Sequence, residues 1–193
     1  LIESSRVEGT RFLCQSLAKL RQKPRVLISA SAVGFYGSCE PDKILTESSP
    51  SGQGFLPGVC RRWEEETRYA GEAGIRAVNI RLGVVLGKSG GAMAKMLPIF
   101  KLGLGGVLGD GKQMMSWIAL PEIPYIIEYL IKHNDISGPV NAVSPRPVSN
   151  REFTKILGEV IERPVIFPVP SFGIKALFGE MGKTLLLEGA RVI

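Results

Sequence analysis

The feature that most constrains the fold is an alternation of amphipathic helices and short apolar strands in the first half of the chain. An apolar stripe at helical spacing ends near residues 22–24, and the β-branched run 25–31 follows it. A second helical pattern covers 56–73, and another apolar run occupies 76–81. Short continuous apolar runs are typical of strands buried on both faces of a parallel sheet. The alternation therefore predicts an α/β fold with an open parallel sheet.

The same alternation locates a binding region. In an open parallel sheet, ligands bind outside the carboxyl ends of the strands. The segments after Ile28 and Ile80 leave the two predicted strands at that edge. We therefore expect a binding crevice there.

From residue 92 onward the pattern changes to shorter elements separated by turns. Helices are predicted at 92–102, 121–133, 149–162 and 171–178, the third of them opened by Ser149-Asn150. Short strands are predicted at 114–118, 140–143 and 165–167. This mixture predicts a smaller α+β lobe that shares elements with the sheet.

A cluster of glycines at 103–111 could be mistaken for a phosphate-binding loop. It lacks the Gly-Lys-Ser/Thr ending of such a loop, and no convincing strand leads into it. We interpret it as a turn-rich loop.

Composition narrows the classes of function. The 24 Lys and Arg residues exceed the 18 Asp and Glu residues by six, but they are scattered among acids, which indicates solvated helix faces rather than a nucleic-acid surface. Three cysteines and one histidine, without paired spacing, argue against a disulfide framework and against a metal site. No apolar run approaches the roughly 18 residues of a membrane-spanning helix. We expect a cytoplasmic protein with neither nucleic-acid nor membrane partners.

Both ends of the chain are abrupt. Residue 1 is leucine, and 1–6 run directly into a helical pattern, while 184–193 close the chain without a polar tail. Neither end resembles a natural terminus or a signal peptide. We expect this chain to be part of a longer protein.

Several motifs occur in an order that points to a family. They are Ser5–Thr10, Ser29–Gly37, Phe55–Glu64, Ile80–Gly87, Gly90–Met93, Leu102–Gly106, Trp117-Ile118 and Leu186–Gly189. Together they resemble the sugar-nucleotide-epimerase-like family of atypical short-chain dehydrogenases/reductases. The resemblance covers nearly all of the chain.

The resemblance implies a fold and a cofactor. It implies the C-terminal part of a Rossmann-like doubly wound parallel sheet, with a smaller α+β substrate lobe. Residues 1–91 would belong to the NAD(P)-binding domain and 92–193 mainly to the substrate lobe. Family members begin with a strand, a Gly-rich turn and a helix that binds the pyrophosphate, and no such element occurs here. The implied cofactor is NADP, with NAD as the alternative.

The departures from the family pattern concern the catalytic pair. In active relatives a Tyr exchanges a proton with the substrate, and a Lys one helical turn later lowers the pKa of that Tyr. Alignment on Trp63-Glu64 places Leu56 at the Tyr position and Cys60 at the Lys position. Leucine has no proton to exchange, and cysteine is a poor substitute for a cation. Both are predicted to face the cofactor, Cys60 as a small helix residue rather than a reactive thiol.

Two hydroxyls remain as candidate catalytic groups. Ser31 corresponds to the family serine and either orients a substrate oxygen or satisfies backbone groups at the strand end. Tyr36 is either a replacement acid or a tyrosine packed at the turn after the strand.

Two arginines are candidate cofactor-binding residues. The helix of Arg6 is predicted to lie under the crevice, and its planar guanidinium suits phosphate or ribose oxygens; the alternative is an ion pair with an acid such as Glu3. Arg81 ends a predicted strand and either faces the same crevice or forms an ion pair.

These features support two functions. One is an NADP-dependent epimerase, dehydratase or reductase acting on a sugar nucleotide or a similar carbonyl compound. The other is a catalytically silent dinucleotide-binding or sensing protein that acts through a partner. The family's fold, which the sequence retains, fits both functions, whereas the absence of the catalytic Tyr and Lys favours the second.

Overall fold

The computed structural model describes residues 2–166 and 189–193. Its α-helices are α1 (Ile2–Ala18), α2 (Phe55–Glu66), α3 (Arg68–Glu72), α4 (Gly91–Lys101), α5 (Glu122–Lys132) and α6 (Asn150–Val160). Its strands are β1 (Val26–Ala32), β2 (Ile44–Leu45), β3 (Arg76–Leu82), β4 (Val84–Leu86), β5 (Met114–Met115), β6 (Trp117–Ala119), β7 (Gly138–Ala142), β8 (Val148–Ser149) and β9 (Arg191–Val192). The predicted helix at 171–178 and most of the motif at 186–189 lie outside the described residues.

The predicted parallel sheet is confirmed. Its order is β1-β3-β7, and both pairings are parallel. Val78 and Ile80 of β3 are buried with Leu130 of α5 and Ala142 of β7. On a second patch, Cys14 of α1 packs with residues of and next to α3. The apolar run of β3 is therefore covered by helices, as the sequence pattern requires.

Contacts divide the chain into two compact units. The first contains Leu1–Gly37, Thr46–Leu82 and Pro121–Ala142, and the second contains the remainder. Helix α5 and strand β7 belong to the first unit, so the sheet takes elements from beyond residue 92. The assignment of 1–91 to cofactor binding and 92–193 to substrate binding stays a prediction.

Four predicted boundaries were wrong. Helix α1 ends at Ala18 rather than near residues 22–24. The helix predicted at 56–73 is two helices that meet at Thr67, whose hydroxyl donates to the Glu64 carbonyl (2.7 Å) at the end of α2. The strand predicted at 114–118 is interrupted at Ser116, and its halves pair with different partners. The described part of the strand predicted at 165–167 is irregular, and Val165 lies against Gly158 of α6.

The second unit contains three two-stranded pairings: β4 with β6, β5 with β8, and β2 with β9. The Ser149 hydroxyl accepts from the Glu152 amide (3.1 Å) and caps α6, as predicted. The glycine cluster at 103–111 is a turn-rich loop, as predicted, and the Leu108 amide donates to Asn150 Oδ1 (2.8 Å). None of the helices in the described ranges has the length and apolar character needed to cross a membrane.

An ion pair between α1 and α2 predicts a pH dependence of stability. Arg11 hydrogen-bonds both carboxylate oxygens of Glu66 (2.9 and 2.7 Å), and this lowers the pKa of Glu66 from its ordinary 4.5. The unfolded chain binds that proton more readily, so the contribution is present above pH 4.5 and is lost as the pH falls through the lowered folded pKa. Between about pH 6 and pH 3, Glu66→Gln should therefore lose less stability than the wild type in urea titrations. Glu72→Gln, which alters an exposed pair with Arg68 (3.5 Å), should lose as much stability as the wild type over this pH range. An equal pH dependence of the free energy of unfolding in all three proteins would contradict the prediction.

Candidate functional site

Polar side chains of the first unit converge at the carboxyl ends of its parallel strands. Ser31, near the end of β1, lies in register with Arg81 of β3, which lies in register with Asn141 of β7. A short 3-10 helix, Val33–Tyr36, follows β1 directly and carries Tyr36. Since registered residues of a parallel sheet share a face, these groups can meet.

Arg81 and Glu64 form a buried ion pair at the centre of this group. Arg81 Nε donates to Oε1 (2.9 Å) and Nη2 donates to Oε2 (2.8 Å) of Glu64. The two side chains are only 4% and 11% exposed. Burial disfavours the charged guanidinium, but hydrogen bonds to Glu64 and Tyr36 outweigh it and raise the pKa of Arg81. The predicted ion pair is thus formed, and cofactor contact would require Arg81 to leave it.

Tyr36 is packed rather than presented at a surface. Its side chain is 1% exposed, and its hydroxyl donates to Asn141 Oδ1 (2.7 Å) while it accepts from Arg81 Nη1 (2.9 Å). The centroid of the neighbouring Phe35 ring lies 3.5 Å from the Arg81 guanidinium carbon, in a cation–π contact. Burial raises the pKa of Tyr36, against the lowering effect of Arg81. A buried phenol with a raised pKa and an engaged proton is a poor general acid as it stands.

Ser31 is engaged in the same network. Its hydroxyl donates to Glu64 Oε1 (2.6 Å), and the residue is 3% exposed. A hydroxyl that donates to a carboxylate cannot at the same time donate to a substrate oxygen. Proton transfer through Ser31 or Tyr36 would therefore need these hydrogen bonds to exchange. Their catalytic roles stay predictions.

The positions of the missing catalytic pair lie on α2. Leu56 is half-buried, and Cys60 is 6% exposed with its sulfur beside Gly34. Burial, and then the nearby Glu64 charge, raise the pKa of Cys60 to about 11. The thiol is protonated at neutral pH, which fits the predicted small helix residue rather than a reactive nucleophile. Contact of Leu56 or Cys60 with a cofactor stays a prediction.

Arg6 differs from Arg81 because it is exposed. Its guanidinium carbon lies 5.4 Å from the centroid of the Trp63 ring. Glu3, the predicted alternative partner, is paired with Arg62 instead (2.7 Å). Arg6 is therefore the candidate cation of this unit that remains accessible to an anionic ligand, as far as the described residues go.

Sequence reasoning missed Glu64 and Asn141, the two groups that hold Arg81 and Tyr36. Glu64 lies one helical turn after Cys60, so the helix pattern could have placed it on the same face. Asn141 has no local signal, because it is 105 residues from Tyr36 and becomes its neighbour only through the register of β7.

A glycine in the loop between β2 and α2 packs closely against the backbone of Tyr36. The Gly52 amide donates to the Phe35 carbonyl (2.9 Å), and a Cβ at Gly52 would lie 2.7 Å from the Tyr36 carbonyl carbon. We expect Gly52→Ala to destabilise the protein by at least about 1 kcal/mol, because the backbone must shift. Gly71→Ala, in a helix with open space around it, is the control and should be neutral or stabilising in chemical denaturation. Equal effects of the two changes would contradict this role for Gly52.

Comparison with known proteins identifies relatives over the whole chain. No family model matches it. The chain is 41% identical to "Epimerase family protein Mb2239" of Mycobacterium bovis over 192 residues, covering 100% of this chain and 63% of the relative. It is 44% identical to "Epimerase family protein SDR39U1 homolog, chloroplastic" of Arabidopsis thaliana over 194 residues, covering 100% of this chain and 55% of that one.

A solved structure agrees with these relatives. The human epimerase family protein SDR39U1 (isoform 2), crystallised with NADPH, superimposes with a TM-score of 0.92 at 34% identity. The match covers 99% of this chain and 64% of the human one. The chain thus spans less than two thirds of the length of each of these relatives.

Proposed function

We propose that this chain, which belongs to the epimerase-like family of atypical short-chain dehydrogenases/reductases, contributes to NADP(H) binding and uses its Ser31–Tyr36 network for structure rather than proton transfer. The observation that carries the second part is the double engagement of Ser31 and Tyr36 with Glu64, Asn141 and Arg81. Support for the first part comes from the human relative crystallised with NADPH.

The residues present fit a phosphorylated nucleotide. Arg6 offers an exposed guanidinium, whose planar fork suits phosphate and ribose oxygens. Cys60 is neutral and therefore brings no negative charge to repel phosphate groups, and Leu56 adds apolar surface. Bound NADPH would supply a hydride for a carbonyl compound. The chain's own part is to bind and orient the nucleotide, with Arg81 and Glu64 holding the strand ends that support it.

The network also explains why binding and catalysis can separate. Arg81 and Glu64 join β3 to α2, and Tyr36 and Asn141 join the 3-10 helix to β7. These connections stabilise the edge of the sheet where the nucleotide is proposed to bind. They supply no proton for transfer to a substrate.

An enzyme remains the second candidate function. Its support is the position of Ser31 and Tyr36 at the carboxyl end of β1, together with the epimerase names of the relatives. The substrate would then be a sugar nucleotide or a similar carbonyl compound. Cytoplasmic localisation remains part of this proposal, and the chloroplast name of the Arabidopsis relative gives a reason to test it by cell fractionation.

The proposal is tested by titrating NADPH and NADH into the longest natural form of the protein that carries this chain, with calorimetric detection. Saturable NADPH binding, together with no turnover across a panel of nucleotide sugars and small carbonyl compounds, is the expected result. Absence of NADPH binding would rule out the proposed function. Binding with rapid turnover would establish the second candidate instead.

A further inference from the structure

Most N–H donors of the Arg6 guanidinium have no hydrogen-bond partner in the described part of the chain. Arg6 is exposed on α1, and its Nη1 makes two long hydrogen bonds, to the Ile2 carbonyl and the Ser5 hydroxyl (both 3.3 Å). A guanidinium has five N–H donors. Across residues 2–166 and 189–193, no carboxylate lies within salt-bridge distance of it. Arg6 therefore retains both its charge and its hydrogen-bonding capacity for a ligand.

The Trp63 ring that lies beside Arg6 is itself fixed. Trp63 Nε1 donates to Thr10 Oγ1 (2.9 Å), and Thr10 is one helical turn after Arg6 on α1. The guanidinium carbon of Arg6 is 5.4 Å from the ring centroid, within the roughly 6 Å range of a cation–π interaction. The carboxylate three residues before Arg6, on Glu3, is held by Arg62 (2.7 Å). The indole, together with the two long hydrogen bonds of Nη1 and not an acid, therefore orients the Arg6 side chain.

Arg6 and Trp63 also lie next to the α2 position that departs from the family pattern. Trp63 is three residues after Cys60, so both occupy one face of α2. Burial dominates the raised pKa of Cys60, and the Arg6 charge is close enough to lower it.

We infer that Trp63 is a positioning residue, which holds the Arg6 guanidinium toward a phosphate group of the bound nucleotide. The inference rests on the proposed NADP(H) binding. The indole offers the best aromatic face for a cation. The Nε and Nη2 groups of Arg6, which have no hydrogen-bond partner among the described residues, can form two parallel hydrogen bonds to phosphate oxygens. A guanidinium that is already oriented loses less conformational freedom when it binds.

A double-mutant cycle in NADPH affinity tests this role. In the longest natural form of the protein, Trp63→Leu should weaken NADPH binding about two- to fivefold, the scale of an exposed cation–π interaction. Trp63→Phe, which keeps an aromatic face, should weaken it less than twofold. In the Arg6→Ala background, Trp63→Leu should have no further effect, because the group it positions is gone. Arg68→Ala, which removes an exposed arginine beside Tyr69 (6.0 Å), is the matched control.

The outcomes separate the two proposals. If the wild type binds NADPH and Trp63→Leu weakens binding equally with and without Arg6, Trp63 acts only through packing and the inference is wrong. Wild-type affinity in Trp63→Leu would overturn it as well. If the wild type does not bind NADPH, the proposed function fails and the inference fails with it.

Should Trp63→Leu not fold, Thr10→Val tests the same positioning, since it removes only the acceptor that fixes the indole. NADH titrations distinguish a pyrophosphate partner, where both cofactors are affected, from the 2′-phosphate, where NADPH alone is.

Discussion

Arg81→Met should lower the free energy of unfolding by about 3–5 kcal/mol, the cost of removing one partner from a buried ion pair. Glu64 would keep a carboxylate that is 11% exposed without its cation, and the Tyr36 hydroxyl would lose a donor. Chemical denaturation of the cofactor-free protein measures the loss. The matched control is Arg68→Met, which breaks an exposed pair with Glu72 (3.5 Å) and should cost less than about 1 kcal/mol.

A second substitution separates the effect of the unpaired charge from the effect of lost packing at the Arg81–Glu64 ion pair. Arg81→Met combined with Glu64→Gln removes the uncompensated charge, so the double variant should be more stable than Arg81→Met alone. If Arg81→Met costs no more than Arg68→Met, the ion pair does not organise this edge of the sheet.

Arg6→Ala should weaken NADPH binding about 5- to 150-fold, which corresponds to about 1–3 kcal/mol for a hydrogen-bonded charged group. The reason is that Arg6 is exposed and its Glu3 neighbour is already paired, so its charge is available to phosphate oxygens. Calorimetric titration of the longest natural form measures the change. Stability should fall by no more than about 1 kcal/mol, since Arg6 is exposed and makes two long hydrogen bonds within its own helix and one cation–π contact with Trp63.

Two comparisons make this result specific. Arg68→Ala removes the same charge from an exposed site and should leave the affinity within twofold of the wild type. Higher salt should reduce the difference between Arg6→Ala and the wild type, because an ionic contact is screened. An unchanged dissociation constant in Arg6→Ala would remove Arg6 from the site.

The sheet could be predicted from the sequence because its strands carry their own signal. The apolar runs at 25–31 and 76–81 correspond to β1 and β3 within one residue at each end, and the helix pattern before them corresponds to α1. Buried parallel strands need continuous apolar side chains, so their pattern is local and strong. The topology predicted that the segments after Ile28 and Ile80 lie at one edge of the sheet, whereas Ser31 and Tyr36 were singled out by the family resemblance.

Other elements depend on contacts that leave no local pattern. The strand predicted at 114–118 is interrupted because the Ser116 hydroxyl donates to the Ala190 carbonyl (2.8 Å) and accepts from the Val192 amide (2.9 Å). Those partners lie more than 70 residues away along the chain. Glu64 is similar, because the three hydrogen bonds that its carboxylate accepts come from β1 and β3. A sequence identifies such residues only after the register of the strands is known.

The most direct test of the central claim compares turnover in the wild type and Tyr36→Phe at saturating NADPH or NADP⁺. Loss of reduced nicotinamide absorbance is the signal for reduction, and chromatography of the sugar products is the signal for redox-neutral turnover. A positioned general acid contributes about 10²–10⁴ in rate, so its removal could not be overlooked. We expect both proteins to bind NADPH with equal affinity and to show the same background rate with nucleotide sugars and small carbonyl compounds. Robust wild-type turnover that Tyr36→Phe abolishes at unchanged NADPH affinity would contradict the account and make Tyr36 the acid.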